Sequence, residues 1–230
     1  TVRNAHSRFI LCAVPLASSR TAAVQAEFAR LFTRCGLPEV IRCDNGGPFA
    51  ARAGPHGLTR LSAWWRQLGI ALERIEPGQP AQNGAHERMH RDIATELQRQ
   101  PCRTLDAERE RLERWRDEYN AVRPHEALGM RRPGELYRRS ARVFDGTTPA
   151  YGYPAGFARR RVRSNGTIRL ERLEPFVSEA LVELEVGVEW LTLCTVRVWF
   201  CDLLVAELNL PAGTALRPTA SASSPPAVGV

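Results

Sequence analysis

Two carboxylates stand where phosphoryl chemistry would need them. Asp44 closes a short β-branched run, Val40-Ile41-Arg42-Cys43, and Asn45, Gly46 and Gly47 turn the chain sharply after it. Open α/β sheets place their ligands at the carboxyl ends of strands. Glu87 follows Gln79-Pro80-Ala81-Gln82-Asn83-Gly84 and falls in the first turns of a helix expected over Asn83 to Gln98. His86, His90, Ile93 and Leu97 form one stripe of that helix, so Glu87 projects about 100° from His86 and can lean over a sheet edge towards Asp44. Hard Mg²⁺ (or Mn²⁺) ions take oxygen ligands of this kind and keep part of their water. Pairs of such ions, about 3.5–4 Å apart, clamp the attacking and leaving oxygens of a phosphoryl transfer. An aspartate in an Asp-Asn-Gly turn is also an ordinary surface feature, so the pattern alone leaves that alternative open.

The same helix spells a second chemistry. His86-Glu87-Arg88-Met89-His90 fits H-E-x-x-H, in which two histidines one turn apart bind Zn²⁺ and the glutamate is the base of a peptidase. Glu108 or Glu110 could supply a third ligand. The flanks, Gly84, Ala85, Arg88 and Arg91, are not the apolar packing that normally wraps a zinc site, and the motif leaves the Asp44 turn unexplained. The zinc peptidase is therefore a remote alternative. Histidines that only pack the helix are another.

The elements that would position these residues alternate in kind. Phe9–Val14 reads as a buried strand. Thr21–Arg34 reads as a helix with Ser18 or Ser19 as caps and Gly36-Leu37-Pro38 as its end. Val40–Cys43 is a strand, and Leu58, Leu61, Trp64, Trp65 and Leu68 recur at helical spacing. Ile70–Ile75 is a further strand. Thr104 can cap a helix that turns Leu105, Leu112, Trp115 and Tyr119 to one side, and Pro124 and Gly129 end it. Strands alternating with helices predict an α/β fold with part of the sheet parallel. The stretch 145–162 reads as a linker. Beyond it Thr167–Leu170, Glu174–Ala180, Val182–Val188, Thr195–Phe200 and Leu203–Leu208 predict a small all-β barrel of about five strands, with a disordered Ala/Ser/Pro-rich tail over 211–230.

Composition bounds the partner. The chain has 230 residues with 43% hydrophobic and 25% charged, the balance of a globular protein of one or two domains. No apolar run approaches the ~18 residues of a membrane helix and no export leader opens it, which predicts a cytoplasmic protein. The net charge is +7, and every one of its 32 basic residues is arginine. Schiff-base chemistry and a phosphate-loop lysine are thereby excluded. A basic surplus of this size points to a polyanion. Arg131, Arg132, Arg138, Arg139 and Arg142, then Arg159, Arg160, Arg161 and Arg163, form two basic runs. The arginines of 103–116 instead alternate with Glu and Asp, as on a solvated helix face. The six cysteines show no C-x-x-C pair, so reduced thiols are expected.

Three blocks carry a resemblance. Cys43-Asp44-Asn45-Gly46-Gly47-Pro48-Phe49, Pro80-Ala81-Gln82-Asn83-Gly84-Ala85-His86-Glu87-Arg88 and Tyr119-Asn120-Ala121-Val122-Arg123-Pro124-His125-Glu126-Ala127-Leu128 resemble, in order and spacing, the integrase-type DDE transposases of bacterial insertion sequences. The likeness implies an RNase H-like integrase core over 1–144, acting on DNA in integration and transposition with Mg²⁺ or Mn²⁺. Asp44 matches the second catalytic carboxylate and Glu87 the third. The interval between them is longer than in retroviral integrases, with the extra length around Arg52–Gly57. Asn45, Asn83, Arg88, His90, Arg91, Arg123, His125, Arg131, Arg132, Arg159, Arg160 and Arg161 become candidate DNA contacts. Residues 163–210 resemble the SH3-like domain often attached to these enzymes. Element ends, target DNA and further copies of the chain are the implied partners, in the bacterial cytoplasm at the nucleoid. The family's first aspartate precedes the segment that His6-Ser7-Arg8-Phe9 resembles. This chain begins at Thr1 and has Asn4-Ala5 there, so the first carboxylate and its strand are expected to be missing and catalysis impaired. A non-catalytic DNA-binding remnant, poisoning a full-length multimer, is the alternative.

Overall fold

The structure, a computed structural model, describes residues 1–18, 20–44, 46–51, 54–75, 84–97 and 102–211. They fall into two compact units. The first is Thr1–Pro48 with Gly69–Thr147, and the second is Phe49–Leu68 with the chain from Thr148 onward.

In the first unit β1 (Val2–Arg3) pairs antiparallel with β2 (Ile10–Cys12), and β3 (Val40–Cys43) pairs parallel with β4 (Ala71–Arg74). Among the described residues these remain two separate two-stranded sheets. Helix α1 (Thr21–Cys35) buries Val24, Phe28, Leu31 and Phe32, the spacing its sequence predicts. Its N-cap is Arg20, whose side chain makes no capping bond. Ser18 Oγ accepts the Arg20 N–H at 3.1 Å instead, and Ser19 lies outside the described residues. The helix ends at Gly36, with φ of 78°. A Cβ there would sit 2.7 Å from the Ser140 carbonyl oxygen and 2.8 Å from that of Arg142, so only glycine lets the 140–144 segment close over the end of α1.

Helices α3 (Gly84–Glu96) and α4 (Leu105–Ala121) pack with β2 around Ile10, Ala13, Met89, Ile93, Leu112, Trp115 and Tyr119. Each large apolar side chain buried there contributes about 1.5–3 kcal/mol. Thr104 caps α4 as expected, accepting the Ala107 N–H at 3.2 Å. The stripe of α3 differs from the expected one. Met89 and Ile93 are buried while His90 is exposed, because a thioether is desolvated at far less cost than an imidazole. Leu105 is likewise exposed. The short helix α5 (Pro133–Leu136) completes this unit.

The second unit joins α2 (Arg60–Gln67) to the antiparallel sheet β5 (Ala158–Arg161), β6 (Glu185–Trp190), β7 (Thr195–Phe200) and β8 (Leu203–Asn209), in the order β5-β6-β7-β8. Thr59 and Ser62 form a capping box at the start of α2. Along β7, Val196, Val198 and Phe200 point inward in strict alternation. The core of Val162, Ile168, Leu170, Leu181, Val186 and Val188 includes Leu58 and Ala63. Arg66 grips Asp202 bidentately at 2.6 and 2.7 Å, and His56 Nε2 bonds the Leu204 carbonyl at 2.7 Å. The segment Phe49–Leu68 therefore belongs to the β module's fold, although the whole stretch Gly69–Thr147 separates it from the rest of that module.

Four strands form where five are expected. Thr167–Leu170 and Glu174–Ala180 contribute only the isolated bridges Thr167↔Phe176 and Leu170↔Leu173 and a 3-10 turn at Glu179–Leu181. The strand expected from Val182 starts at Glu185, after Glu183 takes φ of 69°, which no strand accommodates. Conversely Ala158–Arg161, inside the stretch that reads as a linker, is β5. Among the described residues no helix is long and apolar enough to cross a membrane, and all six cysteines are free thiols. The expected tail beyond Pro211 lies outside the described residues.

Candidate functional site

Asp44 follows the last residue of β3, as its sequence context requires, and its carboxylate is exposed. Oδ1 accepts the Gly46 N–H at 3.0 Å, and a Cβ on Gly46 would lie 3.2 Å from that oxygen, so a larger residue there would push the carboxylate aside. The parallel register sets Cys43 opposite Arg74, bringing the carboxyl ends of β3 and β4 side by side. Burial pushes the neighbouring Cys43 thiol up to about 11, which keeps it protonated and a poor metal ligand.

Glu87 lies in the first turn of α3, exposed, where the helix dipole favours an anion. The residue before it, His86, feels the charge of Asp44. Burial first, then His90, the Thr1 amino group and Arg3, hold His86 down to about 4, and the charge of Asp44 pulls it the other way. The end of β3 and the first turn of α3 are thus close enough for Asp44's charge to act on α3. Among the described residues neither Asp44 nor Glu87 forms an ion pair with an arginine. Two exposed, unpaired oxygen donors fit Mg²⁺ chemically. Among the described residues no group of three or more His, Cys, Asp or Glu converges as a complete metal site.

His86 also gives the unit a pH dependence. Its folded value lies below its ordinary 6.5, so the unfolded chain takes up the proton first as pH falls. Stability present above about pH 6.5 is therefore lost as pH falls towards 4. The thermal midpoint is expected to drop through that window, and His86→Gln to flatten the drop. Parallel curves for the two proteins would remove His86 from the acid response.

The candidate basic contacts divide by what they already hold. Arg123 is clamped. Its guanidinium meets Glu96 at 2.5 and 2.6 Å and Glu118 at 3.0 Å, and lies 5.5 Å from the centre of the Trp115 ring, while Trp115 Nε1 donates to Glu96 at 2.8 Å. These bonds raise Arg123 and lower Glu96, and they fasten the end of α4 to α3. His125 closes the following loop, its N–H donating to the Arg131 carbonyl at 3.1 Å and its ring 4.7 Å from that of Tyr119. Its Nε2 is buried and has no hydrogen-bond partner among the described residues. Arg132 pairs with Glu135 at 2.6 Å, Arg161 pairs with Glu183 at 3.0 Å, and Arg160 Nε donates to the Arg169 carbonyl at 3.1 Å. Arg88, Arg91, Arg131 and Arg159 are exposed. His90 Nε2 lies 3.1 Å from His86 Nε2 and 2.8 Å from the Thr1 hydroxyl. Glu108, weighed as a zinc ligand, is held by Arg111 and the Cys102 N–H. Asn45 and Asn83 lie outside the described residues.

Sequence reasoning missed Asn120. It is buried in α4, and its side chain closes a two-bond clamp on β2, with Oδ1 accepting the Ile10 N–H at 2.8 Å and Nδ2 donating to the Ile10 carbonyl at 3.0 Å. A polar residue next to the buried Tyr119, on the apolar flank of its helix, is the signal that could have found it.

Comparison with known proteins gives these residues a context. Residues 68–133 match a family model described as an integrase core domain. The match takes in His86, Glu87, His90, Asn120, Arg123 and His125, and Asp44 lies outside it. Over 102 residues the chain is 35% identical to an uncharacterized 39.2 kDa protein of insertion element IS476 from Xanthomonas euvesicatoria, covering 44% of this chain and 28% of that protein. It is 34% identical, over the same length, to an uncharacterized 31.7 kDa protein of insertion element IS407 from Burkholderia multivorans, covering 44% and 34%. The chain thus spans about a third of the length of the curated relatives it matches. A chain in the structure of a simian T-cell lymphotropic virus intasome complexed with the PP2A regulatory subunit B56 gamma aligns at a TM-score of 0.38 and 11% identity, covering 84% of this chain and 65% of that one.

Proposed function

We propose, for a chain that belongs with the integrase-type transposases of bacterial insertion sequences, a role in DNA integration and transposition. The observation that carries the reading is the integrase core match over 68–133, which contains Glu87 on the helix whose first turn feels the charge of Asp44. In this reading Asp44 and Glu87 hold the divalent cation, Mg²⁺ or Mn²⁺, which when bound stabilises charge developing on the phosphate and activates the attacking oxygen. Arg88 and Arg91, exposed on the same helix, hold backbone phosphates beside the reacting strand, and Arg131 and, in the second unit, Arg159 are further exposed phosphate contacts. Clamped Arg123 positions α3 and leaves phosphate binding to its exposed neighbours. The partners are element ends, target DNA and further copies of the chain, at the nucleoid in the cytoplasm. The β module takes the part of the SH3-like domain of such transposases.

The alternative, a non-catalytic DNA-binding remnant, is favoured by one observation. With two carboxylates and no third converging group among the described residues, a cation is held loosely. Strand cleavage by this chain is therefore expected to be slow. The test is nicking of a labelled duplex carrying insertion-element ends, in Mg²⁺ and in Mn²⁺. Asp44→Asn and Glu87→Gln should each abolish whatever metal-dependent nicking is seen. Nicking that survives both would remove the two carboxylates from the reaction.

A further inference from the structure

The integrase reading makes no use of one cluster of potential ligand atoms in the first unit. His86 Nε2 and His90 Nε2 are 3.1 Å apart, and the Thr1 hydroxyl oxygen lies 3.3 Å from the first and 2.8 Å from the second. Three atoms bound to one tetrahedral cation at about 2.0–2.1 Å form a triangle with edges of about 3.3 Å. The observed edges are already within half an ångström of that figure. The two imidazoles stand one helical turn apart on α3, a rigid support anchored through buried Met89 and Ile93. His90 is exposed and His86 half-buried, so the cluster can be reached from solvent.

We propose that His86 and His90, with the Thr1 hydroxyl beside them, form a binding site for a borderline divalent cation such as Zn²⁺ or Co²⁺, separate from the carboxylate pair. Nitrogen donors select this class over Mg²⁺, which prefers oxygen. Of the nearby charges the Thr1 amino group and Arg3 oppose a cation and Asp44 favours one, so binding rests on the two imidazole donors. Among the described residues no third histidine or carboxylate completes a peptidase centre. The site stands whether or not the chain acts on DNA.

The probe is Co²⁺, titrated into the full chain and followed by its visible absorption. Saturable binding is expected that excess Mg²⁺ does not displace. His86→Gln and His90→Gln should each weaken it at least about tenfold, with unchanged circular dichroism showing that both variants fold, while Glu87→Gln should leave it within about threefold. All six cysteines are free, so the spectrum also has to lack the intense thiolate-to-cobalt band. The proposal is overturned by an absence of binding, by binding indifferent to both histidine substitutions, by loss on Glu87→Gln, by displacement with Mg²⁺, or by thiolate ligation.

Discussion

Asn120→Ala is expected to cost the α/β unit roughly 2–6 kcal/mol, because it strands two buried backbone groups and each unsatisfied group costs about 1–3 kcal/mol. Both belong to Ile10, which is fully buried, at 0% exposure. β2 has a hydrogen-bonding partner strand in β1, and the Asn120 amide supplies a second, strand-like pair of bonds from α4. Ile10 belongs to the same buried cluster as Met89, Ile93 and Trp115. Asn120→Asp is the sharper variant. It keeps the acceptor for the Ile10 N–H, but it loses the donor and buries a carboxylate against a carbonyl oxygen. Urea unfolding followed by tryptophan fluorescence reads both as a lower midpoint at unchanged slope. A loss under about 1 kcal/mol for Asn120→Ala would mean that Ile10 finds other partners and the clamp is incidental. Changes to the exposed Glu110–Arg114 pair, 3.9 Å apart on the far side of α4, serve as the comparison and should stay within about 0.5 kcal/mol.

The same residue shows where the sequence could be read and where it could not. Elements set by local periodicity and punctuation stand in the structure as read. Val40–Cys43 stops at the Asp-Asn-Gly turn, Thr104 caps α4, and Trp115 and Tyr119 face inward. Asp44 and Glu87 were legible for the same reason, one ending a strand and the other opening a helix. Features set by partners far along the chain were not legible. Asn120 looks like any polar helix residue until Ile10, over a hundred positions earlier, is seen beside it. Arg123 carries the charge of a DNA contact but is held by Glu96, Glu118 and the Trp115 ring. The helix of Trp64 and Trp65 reads as part of the α/β core, yet Leu58 and Ala63 serve the β module, a choice made by shape complementarity that no periodicity records. β5 was hidden by its own composition. Three consecutive arginines obscure a period-two pattern in which Arg159 and Arg161 are exposed and Arg160 between them is partly buried.

The second large effect concerns DNA. Six arginines are exposed at candidate contact positions; Arg132 and Arg161 are paired with Glu135 and Glu183, which leaves Arg88 and Arg91 on α3, Arg131 after the His125 loop and Arg159 on β5. If each of these unpaired arginines neutralises one phosphate of a duplex, log K falls against log salt with a slope of about −3 to −4. Between about 50 and 200 mM salt that amounts to a loss of roughly a hundredfold in affinity. Glu87→Gln should leave both the affinity and the slope nearly unchanged, since Glu87 is assigned to a cation and not to the backbone. Arg131→Gln should weaken binding similarly for every sequence and reduce the slope by about one.

Fluorescence anisotropy of a labelled duplex, titrated with the full chain across that salt range, tests the central claim most directly. The account predicts binding that weakens along the stated slope and survives Glu87→Gln. An absence of binding at low salt, or binding indifferent to salt, would contradict a DNA-acting role for this chain.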